Sequence, residues 1–149
     1  MTFCRVGVVI LALLLGGCFE PYKKVDKADR ERLKHVAGDT NFQAVVGRLR
    51  AAARKKDLPM LASMMTEDFG YSADASAQPG AAIFTHWDEQ NLWPVLSDLL
   101  KQNFVPLGEY MVSPPELVSD SSYNGPRCGL RVVRGSWKLA YFLPSGEGL

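Results

Sequence analysis

The chain has 149 residues, of which 47% are hydrophobic and 22% are charged, and its formal net charge is +1. This composition is typical of a globular domain and excludes a disordered tail, a collagen-like repeat and a multi-pass membrane protein. It also excludes a strongly basic nucleic-acid-binding protein, because a nearly neutral chain has no large positive field to attract phosphates. We therefore expect no nucleic-acid partner.

The N-terminal segment has the features of an export signal. Residues 1–5 carry one positive charge, and residues 6–15 form an unbroken apolar run. At about 1.5 Å of helix rise per residue, this run covers about half of a bilayer core and is too short to span it. A short basic start, a short apolar run and small residues after it are typical of a secretory signal peptide.

The small residues lead directly into a cysteine, in the order Leu15-Gly16-Gly17-Cys18. This motif resembles the lipobox of bacterial lipoproteins. The resemblance implies that residues 1–17 are removed as a signal peptide, that the Cys18 thiol is lipidated and that the new amino group is acylated. Acyl chains would then anchor the protein in a membrane, at about 0.8 kcal/mol per buried CH₂. Because Phe19 rather than aspartate follows the cysteine, the resemblance favours the periplasmic face of the outer membrane, with the inner membrane as the alternative.

The cysteine count agrees with a lipidated Cys18. Cys4 would leave with the signal peptide, and Cys128 would then be the last free thiol, with no partner for a disulfide. The competing interpretation is a plain signal peptide followed by an unmodified Cys18, which could form a bridge with Cys128.

Two regions follow the signal peptide. Residues 18–38 contain the segment 20–34, which is almost wholly polar after Tyr22 and cannot bury enough surface to offset its ordering entropy. They predict a tether that holds the folded part away from the lipid headgroups. Residues 39–149 are long enough for one domain and predict a single domain of the α+β class.

The domain begins with an amphipathic helix. Residues 40–43 have the spacing of a capping box, so Thr40 is predicted to cap this helix. Its apolar positions recur at helical spacing and predict a buried stripe. The stripe consists of Phe42, Val45, Val46, Leu49, Ala52 and Ala53.

A second, short helix is predicted over residues 58–65, with Asp57 as its N-cap. A brief strand at 66–72 and a loop at 73–82 follow.

The middle of the chain predicts two more helices and weak strands. Residues 83–90 are predicted to be helical, and Asn91 is predicted to cap a helix that runs to residue 102. Proline and glycine allow only short edge strands between residues 105 and 118, and residues 119–126 predict a turn-rich loop.

The end of the chain has the strongest strand pattern. Residues 127–133 and 136–143 flank Arg134-Gly135, which is typical of a two-residue hairpin turn. The hydrophobic pattern places Cys128 in the core rather than exposing it as a reactive thiol. The predicted cross-strand pairs are Val132 with Trp137, Leu130 with Leu139, and Cys128 with Tyr141.

This order of elements, ending in the strand Gly-Ser-Trp-Lys-Leu-Ala-Tyr-Phe at 135–142, resembles the NTF2-like (SnoaL-like, cystatin-like cone) superfamily. The matching parts are residues 42–72 and 129–143. The resemblance implies N-terminal helices packed on a small, curved antiparallel sheet around a cone-shaped cavity. It implies little about activity, because the same fold hosts isomerases, dehydratases and binding modules.

The candidate catalytic residues are Asp68, Tyr71 and His86. In a cone-shaped cavity they would supply an acid and a base to a cofactor-free isomerase or hydrolase. One domain histidine and one free cysteine cannot form a zinc site, and the carboxylates lack calcium-loop spacing. We therefore expect neither a metal nor a cofactor.

The candidate binding residues are Arg127, Arg131 and Lys138. The predicted register places Arg131 opposite Lys138 on the outer face of the hairpin, with Arg127 nearby. Like charges that face each other repel. This face is therefore expected either to be solvated or to meet an anion or an acidic protein surface.

Charge is also segregated along the chain. Residues 18–56 hold eleven Lys and Arg against five Asp and Glu, residues 57–120 hold one against ten, and residues 121–149 hold four against one. This pattern predicts either that the basic helix and hairpin lie close to the acidic middle, or that a polarised surface faces a cationic partner.

The function expected from the sequence is that of a lipid-anchored periplasmic lipoprotein. Its domain would be a non-catalytic binding module for an envelope protein or a small apolar ligand. The alternatives are the cofactor-free enzyme described above and a structural envelope component whose interior is filled. The tryptophans Trp87, Trp93 and Trp137 are expected to be core residues.

Overall fold

The computed structural model describes residues 31, 36, 39–70 and 81–145. The predicted signal peptide, Cys18 and Tyr71 lie outside the described residues, as do most of the predicted tether and the loop at 73–82. Within the described ranges, no helix combines the length and the apolar character needed to cross a membrane.

The described chain alternates helices with the strands of one sheet. The helices are α1 (Thr40–Lys55), α2 (Leu58–Ser63), α3 (Ala81–Glu89), α4 (Trp93–Leu99) and α5 (Glu116–Ser119). The strands are β1 (Met65–Gly70), β2 (Val105–Leu107), β3 (Tyr110–Ser113), β4 (Arg127–Val133) and β5 (Ser136–Leu143). The predicted α+β class, with helices packed on a sheet, is confirmed.

The five strands lie in the order β1-β5-β4-β3-β2, and the sheet is mixed. Neighbouring strands from β2 to β5 are antiparallel, whereas β1 pairs with β5 in parallel. The predicted antiparallel sheet is therefore wrong at this edge. The long connection from β1 through α3 and α4 to the rest of the sheet permits a parallel neighbour, which a hairpin does not.

The predicted edge strands are β2 and β3, and this prediction is half right. β2 lies at the edge, but β3 is paired on both sides, with β2 and with β4. Residues 110–113 contain no proline, so β3 keeps the N–H groups that an interior strand needs.

The C-terminal hairpin has the predicted bounds and, next to its turn, the predicted register. Gly135 in the turn has a left-handed φ of 79°, which glycine adopts without steric cost. The confirmed cross-strand pairs are Val132 with Trp137, Arg131 with Lys138, and Leu130 with Leu139.

Further from the turn, a β-bulge changes the register. Ala140 has no partner on β4, so that Gly129 pairs with Tyr141 and Cys128 with Phe142. The predicted Cys128–Tyr141 pair is therefore wrong, because strict alternation cannot anticipate an inserted residue. Cys128 is nevertheless fully buried, as predicted, and burial raises the pKa of its thiol.

The first two helices, α1 and α2, each begin at an aspartate N-cap. The Asp39 carboxylate accepts a hydrogen bond from the Asn41 N–H at 2.8 Å, so Asp39 rather than the predicted Thr40 caps α1. Asp57 caps α2 as predicted, accepting a hydrogen bond from the Met60 N–H at 3.1 Å. The predicted apolar stripe of α1 is buried at all six positions.

Asn91 does not cap α4. It has a left-handed φ of 50°, a conformation that asparagine tolerates better than most residues. The N-cap position belongs to Leu92, which forms no side-chain capping bond. The prediction failed because the turn between α3 and α4 needs Asn91 for its backbone conformation.

The main hydrophobic cluster lies between the helices and one face of the sheet. Trp87 of α3 is fully buried, and its ring centroid lies 5.1 Å from that of Trp93, 5.2 Å from Phe142, 5.4 Å from Phe84 and 6.2 Å from Phe69. Aromatic side chains thus fill this part of the space between helices and sheet. Trp87, Trp93 and the third tryptophan, at position 137, belong to this cluster, which confirms their predicted role in the core.

A smaller cluster covers part of the opposite, outer face of the sheet. It is built on Val112, Ala140, Tyr141 and Leu143, and Leu117 of α5 packs against it. Val36, which the predicted boundary at residue 39 assigns to the tether, is half-buried and packs against the main cluster instead.

Candidate functional site

A groove of about 250 Å³ lies between α1, α2 and the turn of the β4–β5 hairpin. Asn41, Val45 and Arg48 line its α1 wall. Because residues three and four positions apart share one face of a helix, these side chains point to the same side.

The α2 wall and the hairpin close the other sides of the groove. Met60 and Ser63 of α2, together with its C-cap Met64, repeat the same helical spacing. Trp137 and Lys138 contribute from the first residues of β5, directly after the turn. The site is thus assembled from two neighbouring helices and a hairpin that is distant in sequence.

Two cations line the groove. Arg48 is exposed and forms no ion pair with another described residue. The Lys138 ammonium group donates a hydrogen bond to the carbonyl of Ser63, the last residue of α2. An ammonium group has three N–H donors, so this bond leaves two for other acceptors. The described lining includes neither aspartate nor glutamate, and the groove therefore favours an anion.

The bottom of the groove is apolar, and its rim carries exposed apolar side chains. Val45, Met64 and Trp137 are buried in the main cluster. Met60 at the rim is 44% exposed, and Val132, which faces Trp137 across the hairpin, is 51% exposed. A ligand with an anionic group and an apolar part would match this arrangement.

Asp68, a candidate catalytic residue, is held by Arg131, a candidate binding residue. An Nη atom of Arg131 hydrogen-bonds the exposed Asp68 carboxylate, and the other Nη atom lies 3.7 Å from a carboxylate oxygen of Glu109. The nearby Thr66 side chain, and then the hydrogen bond from Arg131, hold the pKa of Asp68 below its ordinary value.

His86 lies elsewhere, as an exposed residue of α3. Its neighbour Trp87 contacts Phe69 of β1, which places α3 on the inner face of the sheet. Asp68 directly precedes Phe69 on β1, so its side chain points to the opposite, outer face of the sheet, where it meets Arg131. The structure therefore does not bring Asp68 and His86 together, and Tyr71 lies outside the described residues.

The three candidate binding residues do not form one site. Arg131 faces Lys138 as predicted, but each has an intramolecular partner, Asp68 for Arg131 and the Ser63 carbonyl for Lys138. Whether this face is mainly solvated or also meets an external anion stays a prediction. Arg127 lies at the other end of β4 and is half-buried. Of these three, Lys138 lines the groove.

The segregated charges meet within the domain, as one interpretation of the sequence predicted. Lys56, directly after the basic helix α1, forms an ion pair with Asp88 of the acidic middle. Arg131 of the basic hairpin forms one with Asp68. The Asp88 carboxylate also accepts a hydrogen bond from the Trp93 indole at 2.9 Å.

Sequence reasoning missed Arg48 and Met60 as site residues. Arg48 lies off the apolar stripe of α1 and is indistinguishable in sequence from a solvated surface cation. The groove exists because residues 41–64 pack beside residues 135–138. No pattern within either segment alone signals that contact.

Comparison of the chain with protein-family models, with curated proteins and with solved structures finds no match. The resemblance to the NTF2-like superfamily therefore stays a prediction. The α+β class rests on the described helices and sheet themselves.

Proposed function

We propose that the chain is an envelope lipoprotein, anchored through lipid on Cys18 at the periplasmic face of the outer membrane, whose α+β domain binds an anionic ligand without catalysing a reaction. The observation that carries the proposal is the groove in which Arg48 and Lys138 lie above an apolar floor. Binding takes place in this groove.

The two cations bind the anionic group of the ligand, and the apolar residues of the groove contact its apolar part. The Arg48 guanidinium presents a planar fork of donors that matches a carboxylate or phosphate, and Lys138 adds a compact positive charge. The apolar part of the ligand contacts Met60 and Trp137. An amphiphilic anion uses both features, whereas a purely apolar ligand would leave the cations without partners.

Binding is favoured over cofactor-free catalysis by the placement of the candidate acid–base residues. General acid–base chemistry needs its groups within hydrogen-bond reach of one substrate. Asp68 is engaged by Arg131 on the outer face, and His86 is on a helix of the inner face. The alternative of a structural envelope component accounts for the aromatic core around Trp87, but it gives no role to the groove.

The test is a titration with octyl phosphate, below its micelle concentration, followed by nuclear magnetic resonance. The protein is the chain 18–149 with Cys18→Ser, which contains every described helix and strand. We expect saturable shifts at the amides of α1 and of the hairpin turn. Arg48→Glu is expected to weaken binding about tenfold or more, because a hydrogen bond to a charged group contributes about 1.5–3 kcal/mol.

Arg54→Glu is the matched control, since it changes the same charge near the other end of α1, outside the groove. It is expected to bind octyl phosphate nearly as the parent chain does. Equal affinities for the Arg48→Glu, Arg54→Glu and parent chains would show that the groove is not the binding site.

A further inference from the structure

The groove lies at the end of the domain where the preceding chain enters. Asp39 caps α1, and Asn41, two residues on, lines the groove. Residues 18–38 therefore join the domain beside the groove.

The rim of the groove has the composition of a surface that contacts lipid. Met60 is an exposed apolar side chain of the groove, and so is Val132, the cross-strand neighbour of the groove residue Trp137. Arg134 in the hairpin turn is an exposed cation. Together with Arg48 and Lys138 they place positive charge and apolar surface at one end of the molecule. Such combinations bind the interface of anionic bilayers, through headgroup attraction and shallow apolar burial.

The size of the groove favours a lipid headgroup over a protein partner. At about 250 Å³ it is smaller than the pockets of about 300–1,000 Å³ that hold small-molecule ligands. A stable protein interface buries about 1,200–2,000 Å² in total, so a protein partner would also have to cover much of the surface around the groove. A headgroup needs only the groove, while the exposed rim residues meet the acyl boundary of the bilayer.

We propose that this end of the domain docks on an anionic lipid bilayer. Arg48 and Lys138 bind a headgroup phosphate in the groove, and Met60 and Val132 contact the acyl boundary. The inference names the ligand of the groove and so rests on the proposed anion-binding function, but it does not depend on lipid at Cys18.

The test is flotation of the chain 18–149 carrying Cys18→Ser with vesicles of phosphatidylcholine, alone or with phosphatidylglycerol added. We expect binding to the vesicles with phosphatidylglycerol. Arg48→Glu is expected to weaken this binding by about 25-fold, because each of the two charge units changed is worth about fivefold near an anionic surface. Met60→Ser is expected to weaken it by about fivefold or less.

The basic residues of 18–38 also attract anionic vesicles, and Arg54→Glu controls for them. It keeps the same segment and the same net charge as Arg48→Glu, so we expect it to retain nearly full binding. Circular dichroism and thermal unfolding verify that each variant is folded, which is expected for Arg48 because it is exposed and forms no ion pair with a described residue.

Two results would overturn docking. Equal loss in Arg48→Glu and Arg54→Glu would mean that net charge, not the groove, drives vesicle binding. Binding of octyl phosphate without Arg48-dependent binding to vesicles would mean that the groove takes a free anion or an acidic protein segment. In that second case the anion-binding function survives and bilayer docking does not, so the two failures are distinguishable.

Discussion

The guanidinium group of Arg131 on β4 reaches over β5 to the carboxylate of Asp68 on β1. The same guanidinium lies 3.7 Å from Glu109, in the turn between β2 and β3. Arg131 thereby connects the β1 edge of the sheet with the turn before β3. The sequence suggested separate roles for Asp68 and Arg131, in catalysis and in binding, whereas the structure makes them partners.

Substituting Asp68 and substituting Arg131 should reduce the free energy of unfolding by unequal amounts. Asp68→Asn removes one charge from an exposed carboxylate, and such pairs contribute about 0.2–1 kcal/mol. Arg131→Ala should cost more, because the Arg131 side chain is only 23% exposed and also loses packing along its stem. Urea unfolding of both variants measures the difference. Asp98→Asn, in an exposed pair with Lys101, is the control, and a cost of Asp68→Asn equal to or above that of Arg131→Ala would contradict the interpretation.

Stability should fall in acid. The pKa of Asp68 is held below its ordinary value by the nearby Thr66 side chain and by the hydrogen bond from Arg131. The pKa of Asp88 is lowered by hydrogen bonds from Lys56 and Trp93. Because these carboxyls bind protons more tightly when unfolded, their stabilisation is present above about pH 5 and is lost as the pH falls through the lower, folded pKa values. Urea unfolding between pH 6 and pH 3 should show this decline, and Asp68→Asn should make it shallower. An unchanged slope in Asp68→Asn would be the contrary result.

Gly129 should not tolerate a side chain. A Cβ atom at this position would overlap the ring of Tyr141, its cross-strand neighbour, which is itself buried. We expect Gly129→Ala to destabilise the domain by about 1–3 kcal/mol, as overpacking does. In the Gly129→Ala, Tyr141→Ala double variant the cost of the alanine at 129 should largely disappear, giving a coupling energy in a double-mutant cycle. If the stability costs of the two substitutions simply add, the Tyr141 ring is not what excludes a side chain at position 129.

Gly47 provides the opposite case. It lies within α1, and a Cβ atom there would meet nothing within 4 Å. Gly47→Ala should therefore stabilise the domain by about 0.5–1 kcal/mol through the entropy of the unfolded chain and helix propensity. Thermal unfolding measures the change, and a lower midpoint would contradict the placement of Gly47 on an open helix face.

Trp87 should carry a large share of the stability of the core. Trp87→Ala removes a fully buried ring that contacts four other aromatic residues, and such truncations cost about 3–5 kcal/mol. Trp87→Phe keeps a ring in the cluster and should cost less. Urea unfolding of both variants tests this, and a loss below about 1 kcal/mol in Trp87→Ala would show that the interior is not packed around this side chain.

Local patterns were sufficient for much of the fold. The stripe of α1, the Asp57 cap and the hairpin with its turn at Arg134-Gly135 follow from residues adjacent in sequence. Local patterns failed where the outcome depends on a distant partner or on one backbone torsion. The bulge at Ala140 and the left-handed Asn91 are examples.

The groove was unpredictable for the same reason. Lys138 was singled out as a basic residue on the hairpin, but its partners are the end of α2 and the wall of α1. Arg48 and Lys138 become one site only after the hairpin packs beside the first two helices. The sequence pattern identified Lys138 as a candidate, whereas Arg48 becomes recognisable as a site residue only from the tertiary packing.

Lipid on Cys18 is the claim on which the cellular role depends. Intact mass spectrometry of the full chain, purified from bacterial membranes, measures it directly, with Cys4→Ser and Cys18→Ser as matched variants. We expect a mass that corresponds to a chain beginning at Cys18 with two or three acyl chains attached, and the same mass for Cys4→Ser. An unmodified Cys18, or a chain that retains residues 1–17, would contradict the lipoprotein assignment.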